Sequence, residues 1–164
     1  MSKFDLYLQL MRVDKPIGFL LLMWPVAWAF IISAEGSPNI FYMTIFAIGI
    51  IATRSAGCII NDYFDQDFDS KVERTKNRVL ASKQVSNQEA LILFGLLLIV
   101  SFILLLMLEL KVILFAIFSL FLLIIYPLTK RYFKLPQLVL GLAFGSSIPM
   151  VFVLEKGVID FNCI

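Results

Sequence analysis

The chain has 164 residues, 60% of them apolar and 16% charged, with a mean hydropathy of +0.92. At roughly 20 apolar residues per membrane crossing, this composition leaves room for five crossings and excludes a soluble globular enzyme, a secreted disulfide scaffold and a disordered tail. A net charge of +2 is too small to imply nucleic-acid binding, the absence of histidine excludes imidazole chemistry, and Cys58 and Cys163, in no CxxC spacing, supply no metal or redox framework.

In chain order, the apolar runs predict five membrane-spanning helices over residues 17–34, 40–60, 90–108, 112–126 and 137–154, in a single integral-membrane domain covering 1–164. The first run begins too late for a signal peptide, and Trp24, Pro25 and Trp28 give no small-residue cleavage pattern. Lipid offers no partner to an open backbone and no strand-length alternating segments occur, so the crossings must be helical. The expected fold class is all-α, a polytopic membrane helix bundle.

Lysine and arginine placement orients the bundle. Lys3, Arg12 and Lys15 precede the first span. Lys71, Arg74, Lys76, Arg78 and Lys83 follow the second, and Lys130, Arg131 and Lys134 follow the fourth. The other side carries only Lys111 and Lys156, while Arg54 lies inside a span. The N-terminus and both basic connections are therefore expected to face the cytoplasm, in the inner membrane if the cell is bacterial.

The connection 61–89 sorts its charges. Asp62, Asp65, Asp67, Asp69 and Glu73 are interleaved with, then followed by, Lys71, Arg74, Lys76, Arg78 and Lys83. Carboxylates suit a hard cation such as Mg²⁺, which is held by one or two of them plus substrate phosphates. Arginines offer bidentate forks to phosphate oxygens. If the second span continues as a helix, Arg54, Asn61, Asp65 and Asp69 fall on one stripe about 80° wide, with Asp62 at its edge. Asn61 to Asp69 spans about 12 Å, too far for the ligands of one ion. Either the helix breaks near Asp65, or an elongated ligand with more than one Mg²⁺ shares the stripe. A calcium loop is excluded, because its sixth and twelfth positions would be Ser70 and Lys76. In the connection 127–136, Lys130 and Arg131 serve either as an interfacial anchor or to neutralise a leaving diphosphate.

These residues resemble a known family. Asn61-Asp62-Tyr63-Phe64-Asp65-Gln66-Asp67-Phe68-Asp69 is similar to the NDxxDxxxD motif of the UbiA superfamily of intramembrane prenyltransferases. So are Arg12-Val13-Asp14-Lys15-Pro16-Ile17-Gly18 leading into Trp24-Pro25, the run Arg74-Thr75-Lys76-Asn77-Arg78, Tyr126-Pro127 with Lys130-Arg131, and 135–150. Together they look like the 4-hydroxybenzoate polyprenyltransferase branch, over about residues 8 to 154. The resemblance implies transfer of a polyprenyl group from polyprenyl diphosphate to 4-hydroxybenzoate in ubiquinone biosynthesis, with Mg²⁺ as cofactor and the lipid bilayer as surroundings. By similarity, Asn61, Asp65 and Asp69 bind Mg²⁺-diphosphate, with Asp65, Asp69 and Arg131 as the catalytic set. Arg54, Asp62, Arg74, Arg78, Lys130 and Arg131 are expected to bind substrate.

The chain departs from the family pattern in two places. Five spans are followed by Glu155 and Asp160 without a second aspartate cluster, so the chain is expected to correspond to the N-terminal half of the family's nine-helix fold. Where the family has Arg-Pro-Leu, this chain has Arg78-Val79-Leu80. Two further readings stand beside the enzyme: a fragment that is inactive or pairs with a separately encoded C-terminal half, and a small transporter. Transport ranks last, because transporters carry ionisable groups in several spans and only Arg54 lies inside one here.

Overall fold

The computed structural model describes residues 2–132 and 135–158. These form seven helices and no strand: α1 (Lys3–Leu10), α2 (Ile17–Ser33), α3 (Ile40–Asp69), α4 (Asn87–Leu105), α5 (Leu110–Tyr132), α6 (Pro136–Gly145) and α7 (Ser147–Lys156). Local chemistry explains several of the boundaries. Ser2 with Asp5 and Ser86 with Glu89 form capping boxes at the starts of α1 and α4, while the Asn39 side chain accepts from Phe41 N at the start of α3. Gly157, at φ 74°, takes the left-handed position that ends α7.

Helix α3 is the axis of the bundle. Its 30 residues run unbroken from Ile40 to Asp69, about 45 Å at 1.5 Å per residue. It packs against α2, α4 and α5; α7 packs against α2 and α5. Two apolar clusters sit toward opposite ends of α3. One joins Val26, Ala29, Phe30, Phe46, Ile50 and Val112 to the consecutive Val151–Leu154 of α7, with Phe30 edge-on to Phe46 at 5.2 Å. The other gathers Leu6 and Leu10 of α1, Ile59, Ala90 and the loop residues Val79, Leu80 and Val85.

Three segments are long and apolar enough to cross a membrane: Ile40–Asp69, Asn87–Leu105 and Gln137–Lys156. Ile17–Ser33 and Leu110–Tyr126 are apolar but shorter. Ala90 is the one buried residue of α4, and Ile92, Leu96, Ile99, Phe102 and Ile103 are exposed, a surface that suits lipid.

Two features, helix α1 and the division of the last run, depart from the sequence expectation, and a third selects between alternatives it left open. Helix α1 is not among the predicted elements; it is short and amphipathic, and its Lys3 pairs with Glu89 across 86 residues. That hydrogen bond holds the Lys3 ammonium above its ordinary pKa. The first nine residues of the connection 61–89 continue α3 as helix. The run 137–154 is divided at Ser146 into α6 and α7.

Candidate functional site

Because α3 does not break at Asp65, Asn61, Asp65 and Asp69 lie on consecutive turns of one helix, with Arg54 two turns earlier. Of the two alternatives left open by spacing, the continuous stripe is the one the fold adopts.

Asp62 and Asp69 are buried at 4% and 9% exposure and are held by arginines. Arg12 Nη2 donates to Asp62 Oδ1 at 2.7 Å, and Arg78 Nη1 reaches both Asp62 Oδ1 at 3.1 Å and Asp69 Oδ2 at 2.7 Å. Thr75 Oγ1 also donates to the Asp69 carbonyl at 3.1 Å. Together these contacts fold the loop back onto the end of α3. Burial opposes the Arg12 charge, but Asp62, with smaller contributions from its surroundings including Asp69, holds the guanidinium above its ordinary pKa.

Arg12 is not among the site residues assigned from sequence. It follows α1 at φ 57°, with Arg12 N bonded to the Gln9 carbonyl and Val13 N to the Leu8 carbonyl. This is the helix-ending motif in which glycine normally takes the left-handed position. An arginine there accepts backbone strain of about 1 kcal/mol. The ion pair to Asp62 is the compensating contact. We expect Arg12→Gly to relax the turn and still lower thermal stability, because a buried carboxylate losing one of its two arginine partners costs more than the turn gains. A melting temperature at or above that of the parent chain in the same detergent would show that the pair does not support the fold.

Beside this network lies a cavity of about 520 Å³. Arg12, Arg54, Asn61 and Arg78 line it toward the C-terminal end of α3, and residues such as Ile45, Phe46, Phe102 and Leu105 line it further along. The four serines on its wall (Ser101, Ser119, Ser146 and Ser147) direct their hydroxyls to carbonyls of the preceding turn. The far wall is therefore effectively apolar. The cavity is built for an amphipathic molecule with an anionic head.

The expected site residues divide around it. Arg54, Asn61 and Arg78 line the cavity; Asp62 lies apart from it, its carboxylate taken up by two guanidiniums. Asp65, half-buried, and Asp69, buried, lie on the stripe beyond Asn61 and do not line the cavity. Arg74 is exposed on the loop and does not line the cavity. The side chains of Lys130 and Arg131 lie outside the described residues. Arg54 is expected from sequence to find an acidic partner, yet among the described residues it has no ion pair. A charged side chain inside a span costs at least ~2.5–3.5 kcal/mol, a cost that an arriving anion offsets.

The donor set fits Mg²⁺ in one specific sense. Asn61, Asp65 and Asp69 offer hard oxygen ligands, and Mg²⁺ commonly takes one or two carboxylates and completes its shell with phosphate and water. Among the described residues no three acidic or thiol groups gather into a cage, and Asp69 is shared with Arg78. The stripe therefore suits an ion that arrives with a phosphate ligand.

Fold and site together define an integral-membrane helix bundle with a cavity for an anionic amphiphile. The sequence profile of the UbiA prenyltransferase family matches residues 22–163, and the chain belongs to that family. It is 47% identical over 157 residues to the 4-hydroxybenzoate octaprenyltransferase of Photobacterium profundum, covering 96% of this chain and 55% of that protein. To the 4-hydroxybenzoate octaprenyltransferase of an Azoarcus species it is 51% identical over 156 residues, covering 95% and 54%. The chain thus spans about half the length of the curated relatives it matches. In fold it is similar to digeranylgeranylglyceryl phosphate synthase, with a TM-score of 0.82 at 24% identity over 95% of this chain and 55% of that one. It is likewise similar to a UbiA homolog from Archaeoglobus fulgidus bound to GPP and Mg²⁺, with a TM-score of 0.79 at 16% identity over 95% and 56%.

Proposed function

We propose that this chain supplies the first aspartate wall of a prenyltransferase that moves a polyprenyl group from polyprenyl diphosphate to 4-hydroxybenzoate. The observation that carries the reading is the cavity, which joins three arginines and Asn61 to an apolar wall. The identity of about half to relatives named for that reaction supports the choice of substrates.

In this reading Asn61, Asp65 and Asp69 hold the metal–diphosphate head, and Arg78, with Lys130 and Arg131 from the second connection, offsets its charge. Mg²⁺, when bound, withdraws charge from the diphosphate and makes it a better leaving group. The chain's own residues do the remaining work. Arg12 and Asp62 fix Arg78 against α3, so its donors are oriented before substrate arrives and cost little reorganisation. The apolar wall keeps water from the allylic carbon once its C–O bond ionises. Arg54, deeper along the stripe, receives an anionic group, either the aromatic carboxylate or the diphosphate. The ring carbon beside the phenol then attacks the allylic cation and loses its proton, so no protein nucleophile is required. The aspartate-rich end of α3 and the N-terminus face the cytoplasm, which in a bacterium makes this an inner-membrane protein.

The test uses this chain joined to the C-terminal half of one of its relatives. Mg²⁺-dependent transfer of a labelled prenyl group to 4-hydroxybenzoate is expected. Catalytically inert but folded chimeras, made with two different relatives, would argue against the reading.

A further inference from the structure

Gly18 stands in the first turn of α2, half-buried, in a conformation open to any residue, since the only left-handed glycines among the described residues are Gly36 and Gly157. Backbone freedom therefore does not explain it, and helix propensity argues against glycine there. Its neighbour does explain it. A Cβ at this position would stand 2.6 Å from Arg54 Nη2, 3.0 Å from Nε and 3.2 Å from Cζ, so the guanidinium of Arg54 fills the space a methyl group would take. Of the three cavity arginines, Arg12 and Arg78 engage Asp62 and Asp69, whereas Arg54 has no ion-pair partner among the described residues. Arg54 is thus the cavity cation whose charge is left for a ligand.

We propose that Gly18 is a positioning residue for Arg54: its missing side chain leaves the volume the guanidinium occupies, and so sets where an anionic group is received in the cavity. This rests on the anion-binding reading given above. The atoms that would clash are the far end of a flexible side chain, so Gly18→Ala should fold and displace the head group instead of breaking the helix. Displacements of about 1 Å cost on the order of 10²-fold where geometry matters.

The experiment measures binding of Mg²⁺-pyrophosphate and, separately, of 4-hydroxybenzoate to the full chain in nanodiscs by calorimetry. The variants are Gly18→Ala, Arg54→Ala, the double variant, and Gly95→Ala as a control whose Cβ would meet nothing within 4 Å. Whichever anion Arg54→Ala weakens identifies the group received. For that anion, Gly18→Ala should weaken binding by about tenfold or more, the double variant should bind no worse than Arg54→Ala, and Gly95→Ala should match the parent. Parent-like binding by Gly18→Ala beside a loss in Arg54→Ala overturns the inference and leaves the site reading standing. Losses that add in the double variant also overturn it. No binding of either anion by the parent chain, or binding indifferent to Arg54→Ala, overturns both readings. If Gly18→Ala does not fold, recovery of folded protein in the double variant supports the clash, and failure of both overturns it.

Discussion

Asp69→Ala, introduced into this chain joined to a relative's C-terminal half, is expected to lower prenyl transfer by about 10²–10³-fold, the scale of losing one preorganised electrostatic group. The carboxylate serves two purposes. In the proposed site it is the last oxygen ligand on the α3 stripe, and it holds Arg78 at 2.7 Å on the side assigned to the diphosphate. Removing it takes a ligand away and leaves the Arg78 guanidinium only its weaker 3.1 Å contact to Asp62. Asp69→Asn should recover part of the Arg78 contact but little of the metal affinity, so its defect should shrink at high Mg²⁺ while that of Asp69→Ala persists. Turnover within threefold of the parent at ordinary Mg²⁺ would remove Asp69 from the site. Asp65→Ala is expected to be as severe as Asp69→Ala but without the loosening of the loop, which limited proteolysis near Arg74 and Lys76 can separate.

Much of this site could be read from the sequence because α3 is regular. A strict 3.6-residue period carries Arg54, Asn61, Asp65 and Asp69 along one stripe, and the period holds to Asp69. Of the assigned residues whose side chains are described, only Arg54, Asn61 and Arg78 line the cavity; Asp62, at the edge of the stripe, and Asp65 and Asp69 on it do not. What could not be read is long in sequence and short in space. Arg12 lies 50 residues from Asp62, at the end of an eight-residue helix too short and polar to register as a span. Its left-handed φ depends on tertiary contact, and nothing in the residue type announces it; the signals available were its place in the motif Arg12–Gly18 and a capping-box helix ending two residues before it. The helix boundary at Ser146 is equally silent, because Leu-Ala-Phe-Gly-Ser-Ser-Ile reads as uninterrupted apolar helix. Gly18 could be seen as part of a motif, but the guanidinium that requires it comes from 36 residues away.

The second large effect concerns the 164-residue polypeptide tested by itself, which is expected to transfer little or no prenyl group. Its oxygen ligands lie on one helix, and two of its aspartates are already engaged by Arg12 and Arg78. Mg²⁺ gives up water reluctantly, and without a facing acidic wall it would remain largely hydrated, so a diphosphate bound through Arg54 would not be activated to leave. Phe102 of α4 and Ile117 of α5 line the cavity and are themselves exposed, so the described residues do not enclose it. Any allylic cation formed there would meet water before the ring.

The most direct measurement is Mg²⁺-dependent prenylation of 4-hydroxybenzoate by membranes from cells lacking their own enzyme. These membranes carry residues 1–164 alone, a relative's C-terminal half alone, or both. Product only when both are present, and lost with Asp65→Ala, is the result predicted for a chain that forms one of two facing walls. Robust product from residues 1–164 alone, or product from the pair that persists with Asp65→Ala, would contradict it.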